Sequence, residues 1–240
     1  MELIGRGQEC GMERCIKGEN TVDAVDVSSN STRFATGTRA KEVNIRSITT
    51  GQRLVGPLRL HNFVTGVRFS PSGEHIAAAW YTGIQIFDSQ TGDKLVTIDA
   101  DQPGRGSTTP LAWSGDGQEI FAASRDQKFR VFDASTGTQL IESQILYDGT
   151  PSIALASNGK FVATIADQSI TFLDTFTLAR VGPGIEDGGG IWSVAISLDS
   201  TRLEAGRRDG KIVIHDLRKI LPELYDPFDL RICAFILLAY

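Results

Sequence analysis

The chain has 240 residues, of which 41% are hydrophobic, and it carries a net charge of −5. This length suits one large domain or a repeat array, and the acidic balance argues against a nucleic-acid or membrane partner. Three cysteines are too few for a disulfide framework and lack the neighbouring ligands that zinc needs. We therefore expect a cytoplasmic protein with reduced thiols, no metal and no cofactor.

The first 20 residues contain no apolar run of the kind that forms a secretory signal. Residues 12–17, followed by Val22 and Val25, repeat the pattern of residues 52–56 followed by Val64 and Val67. This parallel predicts that residues 1–20 supply a single outer β-strand to a sheet formed elsewhere in the chain.

Residues 67–98 contain four short strands separated by tight turns. Val67 and Phe69 alternate with polar residues, which is typical of a half-buried strand. The turn Ser-Pro-Ser-Gly follows at residues 70–73, and two apolar runs come next, at 76–80 and 84–87. The second run ends at Asp88, and a Thr-Gly turn then leads into a fourth strand at residues 94–98.

This unit recurs along the chain about every 41 to 45 residues. Asp88 returns as Asp133, Asp174 and Asp216, and Ser47 occupies the same column one unit earlier. The second strand opens on an apolar residue in every copy, namely Phe34, Ile76, Ile120, Val162 and Leu203. Two residues later each copy has a small side chain, at Thr36, Ala78, Ala122, Thr164 and Ala205. The third strand of each copy has apolar residues at period two, so we expect one buried column that contains Ile86, Val131, Phe172 and Ile214. Repetition at this period predicts an all-β fold, a β-propeller or propeller segment of about five four-stranded blades.

The repeats resemble the WD40 family. Units of Ser-Pro-x-Gly, a strand of small residues and then Ile-x-Ile-Phe-Asp-x-x-Thr-Gly are similar to WD40 repeats, with Phe87-Asp88 in place of the Trp-Asp pair. The Asp-x-x-Thr-Gly variant resembles the WD40 arrays that follow NTPase modules in large fungal receptor-like proteins. No clear Gly-His pair precedes any unit, so the resemblance implies an incomplete buried hydrogen-bond network, with Asp126, Asp167 and Asp209 as simple turn caps.

The sequence divides into residues 1–20, five blades over residues 21–219, and a tail of residues 220–240. The last blade lacks a fourth strand, so residues 12–17 are expected to complete it and close the ring; a fragment of a longer array would show the same pattern. Residues 232–240 are uniformly apolar but too short to span a membrane. Two predictions for these residues remain open: a strand or helix packed against the domain, or an exposed chain end.

Three sequence features resemble catalytic or ligand-binding motifs, but each is better explained by a structural role. His215 precedes Asp216, but no nucleophile motif accompanies it, so we expect a half-buried, hydrogen-bonded structural histidine. The glycine-rich residues 103–108 lack the lysine of a phosphate loop, and residues 186–190 lack the ligand pattern of a calcium loop. Both are expected to be loops between blades.

The turns between the second and third strands of each unit carry arginine and aromatic residues. Such side chains anchor protein interfaces, and the candidate binding residues are Trp80, Tyr81, Arg125, Arg207 and Arg208. In a propeller these turns share one end with the loops between blades, which carry Asp99, Asp101, Asp148, Glu186 and Asp187. A mixed surface of this kind suits a protein or peptide partner.

We therefore predict a non-catalytic WD40-type scaffold that mediates protein–protein interaction, with no nucleic-acid, membrane or small-molecule partner. A truncated piece of a larger array without its own activity is the first alternative. A propeller enzyme is the second, but the residues that open the innermost strands are apolar and offer no acid or base (Val25, Val67, Leu111, Ile153 and Val194).

Overall fold

Five antiparallel sheets follow one another along the chain between Val22 and Asp216. The computed structural model describes residues 20–99, 111–123, 128–143, 152–166, 169–186, 188 and 190–225. Within these residues four sheets have four strands and the fifth has three. The all-β propeller fold expected from the repeats is confirmed.

The first three sheets form blades 1 to 3. Blade 1 contains β1 (Val22–Val27), β2 (Arg33–Thr38), β3 (Glu42–Ser47) and β4 (Arg53–Arg59). Blade 2 contains β5 (Gly66–Phe69), β6 (His75–Trp80), β7 (Gly83–Asp88) and β8 (Lys94–Asp99). Blade 3 contains β9 (Leu111–Trp113), β10 (Glu119–Ala123), β11 (Phe129–Asp133) and β12 (Gln139–Glu142).

The last two sheets form blades 4 and 5. Blade 4 contains β13 (Ile153–Leu155), β14 (Phe161–Ala166), β15 (Ser169–Asp174) and β16 (Ile185–Glu186). Blade 5 contains β17 (Ile191–Ile196), β18 (Arg202–Arg207) and β19 (Ile212–Asp216). One short helix, α1 (Leu217–Ile220), and a single 3-10 turn (Pro222–Leu224) follow β19.

Each blade is a meander in which every strand pairs with the next one in sequence. We name the strands of each blade a to d in chain order. The a strands of successive blades lie against one another, β1 against β5, β5 against β9, β9 against β13 and β13 against β17. This succession places the a strands innermost and the d strands outermost, as in a propeller.

The core consists of side chains packed between neighbouring blades. Ile45 and Val67 meet between blades 1 and 2, and Ile86 and Trp113 meet between blades 2 and 3. Phe172 fills the junction of blades 4 and 5, where its ring packs edge-on against Phe161 with centroids 5.9 Å apart. Each such side chain contributes about 1.5–3 kcal/mol by leaving water, so blade-to-blade packing dominates the stability of the fold.

Polar contacts also join the inner strands of neighbouring blades. The Asp26 carboxylate accepts a 2.8 Å hydrogen bond from the backbone N–H of Phe69, although burial raises the pKa of Asp26. The Trp113 indole donates a 3.1 Å hydrogen bond to the backbone oxygen of Arg68. These bonds fix the register of blade 1 on blade 2 and of blade 2 on blade 3.

The two end blades expose faces that the inner blades bury. The expectation that strand c buries one column holds for Ile86, Val131 and Phe172, but it is wrong for Ile214, which is 58% exposed. Val25 in β1 is exposed to a similar degree. Among the described residues, no further blade covers the faces on which Val25 and Ile214 lie. Within the same residues, β1 and β17 contact each other less extensively than the a strands of successive blades do.

Side-chain hydrogen bonds within each turn explain the repeated Ser and Asp positions. In the a–b turn of blade 2, Ser70 Oγ accepts from the backbone N–H of His75 at 3.1 Å. In the c–d turn, Asp88 Oδ1 accepts from the N–H groups of Gln90 and Thr91, which lowers the pKa of Asp88. The aspartate therefore closes the turn, as expected for residues whose side chain can replace a backbone acceptor.

The core assignment predicts a large cost for truncating Phe172. Phe172→Ala should lower the free energy of unfolding by about 3–5 kcal/mol, because it leaves a cavity between blades 4 and 5. Chemical denaturation followed by tryptophan fluorescence measures the change. Phe63→Ala, at a half-exposed ring outside the core, is the matched control and should cost much less. Equal effects of the two substitutions would contradict the assigned register.

The a–b turn of blade 5 predicts a dependence of stability on pH. Hydrogen bonds to Asp199, first from Ser197 Oγ and then from Thr201, lower its pKa to about 2. The pKa of an aspartate in an unfolded chain is about 3.9. The hydrogen bonds to Asp199 therefore stabilise the folded protein fully above that pH, and this stabilisation is lost as the pH falls towards about 2. Asp199→Asn should destabilise the protein at pH 7 and have a smaller effect near pH 2. A difference that does not change with pH would refute this.

The ring-closure hypothesis remains a prediction, because residues 12–17 lie outside the described residues. Strand β19 has no outer partner among the residues that the structure describes. If residues 12–17 pair with it, deletion of residues 1–18 should expose a strand edge and cause self-association. Sedimentation velocity and the melting temperature measure this, and an unchanged profile would leave the open arc as the better description.

Candidate interaction surface

Tyr81 and Arg208, two of the predicted binding residues, lie at one end of the arc. The connections between strands b and c and the loops between strand d and the next strand a emerge at this end, which we call the b–c face. It is defined by the b–c connections 39–41, 81–82 and 208–211, by the d–a connection 60–65, and by residues 188, 190 and 192 at the start of blade 5. Arg125 lies outside the described residues.

Trp80 lies in the core and not on this surface. It is 3% exposed and belongs to the apolar cluster that contains Val64 and Val67. Its indole N–H donates to Thr82 Oγ1 at 3.1 Å, and a Cβ on Gly83 would lie 2.5 Å from Trp80 Cζ2. The prediction that Trp80 contacts a partner is therefore wrong. The b–c turn covers the indole, and Trp80 stabilises the turn by packing beneath it.

Tyr81 lies on the b–c face and pairs with a residue that the sequence analysis missed. Its ring meets that of Phe63 edge-on, with centroids 6.5 Å apart, and Phe63 is 41% exposed. Tyr81 also contributes to the raised pKa of Arg39, after the larger effects of the hydrogen bond and charge of Asp23. The aromatic pair on blade 2 thus has an arginine of blade 1 beside it.

Arg208 forms a second aromatic pair on blade 5. Its guanidinium carbon lies 4.8 Å from the centre of the Trp192 ring, a cation–π contact worth about 0.5–1 kcal/mol at an exposed site. Trp192 is 59% exposed. Gly190, at φ 63°, lets the arginine stem lie close to the backbone, because a Cβ there would be 3.0 Å from Arg208 Cδ.

Arg207 has a different role from Arg208. Its guanidinium is largely buried and lies 3.4 Å from the carboxylate of Asp209. Asp209 Oδ1 in turn accepts from the backbone N–H of Lys211 at 3.2 Å, so the aspartate caps the turn as the resemblance implied. The matching residues Asp126 and Asp167 lie outside the described residues. We conclude that Arg207 holds the b–c turn of blade 5 in shape.

Phe63 and Trp192 could have been found from the sequence. The d–a loops share the b–c face with the turns, and the sequence prediction assigned only acidic residues to them. An aromatic residue within such a loop or just after it was the available signal.

The structure does not assemble a catalytic group around His215. The neighbouring Asp216 carboxylate bonds to the guanidinium of Arg218 at 2.9 Å. His215 is half-buried as expected, and its Nε2 atom is buried with no hydrogen-bond partner among the described residues. Within the described ranges no group of three metal-binding side chains occurs, and no helix is long and apolar enough to cross a membrane.

Five blade-type sheets whose inner strands follow one another around a centre define a β-propeller repeat protein. The family model "WD domain, G-beta repeat" matches residues 52–88. This stretch runs from strand d of blade 1 through strand c of blade 2, which is one structural repeat shifted by one strand. The chain therefore contains a WD40 repeat and is similar to WD-repeat proteins.

Several known WD-repeat proteins are similar to parts of the chain. WD repeat-containing protein 1 of Xenopus tropicalis is 29% identical over 93 residues, which cover 35% of this chain and 15% of that protein. Small ribosomal subunit protein RACK1 of Schizosaccharomyces pombe is 29% identical over 120 residues, covering 48% and 38% respectively. The intraflagellar transport protein 122 homolog of X. tropicalis is 23% identical over 174 residues, covering 69% and 14%. The match thus spans well under half the length of each relative.

Proposed function

We propose that this protein is a non-catalytic scaffold that binds a protein or peptide segment at its b–c face. The observation that carries the proposal is the exposure of two aromatic rings, Phe63 and Trp192, each in contact with a predicted binding residue. Aromatic and arginine side chains supply most of the binding energy at protein interfaces. The relatives named above are WD-repeat proteins, which supports the scaffold class.

The charge of this face favours a partner that carries carboxylates. Arg39 is already paired with Asp23 at 2.9 Å, and Arg207 with Asp209. Arg208 is different, because its guanidinium lies over the Trp192 ring and forms no ion pair with a carboxylate among the described residues. Held there, it can donate two parallel hydrogen bonds to an incoming carboxylate. A peptide with an acidic residue next to an apolar one fits this arrangement.

A cytoplasmic location and the absence of catalysis belong to the same proposal. The cysteine usage suits reduced thiols, and the His215–Asp216 pair provides no base because Arg218 holds the carboxylate. The resemblance to fungal arrays behind NTPase modules remains a prediction. The alternative of a truncated piece without activity makes the opposite prediction for the experiment below.

Peptide display against the intact chain tests the proposal. Selected peptides should be enriched in Asp or Glu beside an apolar residue, and the Tyr81→Ala/Arg208→Ala double variant should weaken their binding at least tenfold. Fluorescence anisotropy of a labelled selected peptide measures this, and circular dichroism confirms that each variant folds.

The matched control removes an aromatic ring and an arginine from the opposite face. Phe176→Ala/Arg180→Ala should leave the affinity unchanged, since both residues lie at or after the c–d turn of blade 4. Equal affinity of all three proteins would place the binding site elsewhere. A chain that selects no peptides would favour the truncated piece.

A further inference from the structure

An open cleft of about 620 Å³ lies between blades 3 and 4 on the face opposite the b–c face. Its floor is apolar and includes Phe121, Val131 and Leu140, while Asp116 and Glu119 lie at one side. Leu140 is half-exposed, and Phe176 in the c–d turn of blade 4 is 82% exposed. Two large apolar side chains are thus left in water beside a cavity large enough to take several more.

The corresponding groove between blades 4 and 5 is filled by the chain itself. Val181 and Gly182 occupy the positions in blade 4 that Leu140 and Ile141 occupy in blade 3, counted from Asp174 and Asp133. Leu221 and Leu224, just after β19, are buried in the cluster that joins blades 4 and 5. Leu221 Cδ2 lies so close to Gly182 that a Cβ there would be 2.4 Å away.

Leu178 distinguishes the junction of blades 3 and 4 from the earlier junctions between blades. The same turn position is Gly92 in blade 2 and Gly137 in blade 3, where a Cβ would lie 2.8 and 2.9 Å from side chains of the preceding blade. Leu178 adopts the same left-handed backbone, φ 53°, which disfavours a bulky residue. Its buried side chain belongs to the apolar cluster that contains Phe121 and Val131 of blade 3.

The described chain ends beside this cleft. Lys160 donates a 3.1 Å hydrogen bond from Nζ to the backbone oxygen of Leu224. The residue before Lys160 is Gly159, which lines the cleft. Residues 226–231 alone can span about 20 Å at 3.3–3.6 Å per residue, so the nine apolar residues that follow can reach the opening.

We propose that the apolar segment 232–240 of this chain docks in the cleft between blades 3 and 4. It continues a path on which Leu221 and Leu224 already cover the neighbouring groove. Arg231, directly before the apolar segment, matches the acidic side of the cleft. There burial first, and then the charges of Asp116 and Asp133, raise the pKa of Glu119. A segment that covers Leu140 and Phe176 would bury apolar surface of the cleft together with its own apolar side chains.

The thiol of Cys233 lies within the proposed segment and allows a direct test in the full-length chain. In a Cys10→Ser/Cys15→Ser background, Phe176→Cys places a second thiol at the mouth of the cleft. A short bis-maleimide should join it to Cys233 within one chain, and mass spectrometry maps the link. Leu198→Cys, an exposed site in the a–b turn of blade 5, and Tyr81→Cys, on the b–c face, are the matched controls.

We expect linking at position 176 to be at least five times faster than at either control position. Equal or faster linking at position 198 would show that the segment covers the end blade, and links between two chains would show that a second copy occupies the cleft. Either result, or no link at position 176, overturns the proposal.

A second measurement does not depend on Phe176. A thiol introduced by Leu140→Cys should react slowly with a large maleimide in the full chain. Adding Phe235→Asp/Leu237→Asp should restore fast labelling, because the segment would no longer favour an apolar cleft. Labelling that is fast in both proteins would show that nothing shields the cleft and would also overturn the proposal.

Discussion

The fold depends on one constraint: a four-stranded sheet has two faces and cannot bury either of them by itself. Each blade is stable only because its neighbours cover it, with Ile45, Ile86 and Phe172 buried between successive sheets. Hydrogen bonds within a sheet set the strand order, but they leave both faces to be covered. The exposed Val25 and Ile214 mark the two places where the described chain offers no cover.

The repeat made the architecture predictable, because residues with different structural roles recur at the same spacing in successive units. Ser70 closes the a–b turn, Ala78 is buried in strand b, and Asp88 closes the c–d turn, and each has counterparts in other blades. Local hydrogen bonding and alternation suffice to recognise such positions. The prediction that Ile214 is buried failed because burial is not a local property. Its exposure depends on whether another sheet lies next to it. Alternation along one strand contains no information on that point.

The interaction surface was only partly predictable for a related reason. A turn position indicates which end of the blade a residue occupies, but not whether the side chain points outward or folds beneath the turn. Tyr81 and Trp80 are adjacent, yet Trp80 is buried because Gly83 leaves room for its indole below the turn. Phe63 and Trp192 were missed because one lies in a loop between blades and the other at the start of strand β17, and their contacts with the b–c turns arise only in the folded structure.

The meander within each blade has a consequence for how the chain reaches this structure. Every strand pair joins neighbours in sequence, so the loops that must close are short and their entropic cost is small. A single sheet can therefore form early and serve as a surface on which the next one condenses, and such growth can begin at any blade and spread in both directions. Contacts of this local kind favour fast folding compared with other all-β architectures of the same length, in which distant strands must find one another first.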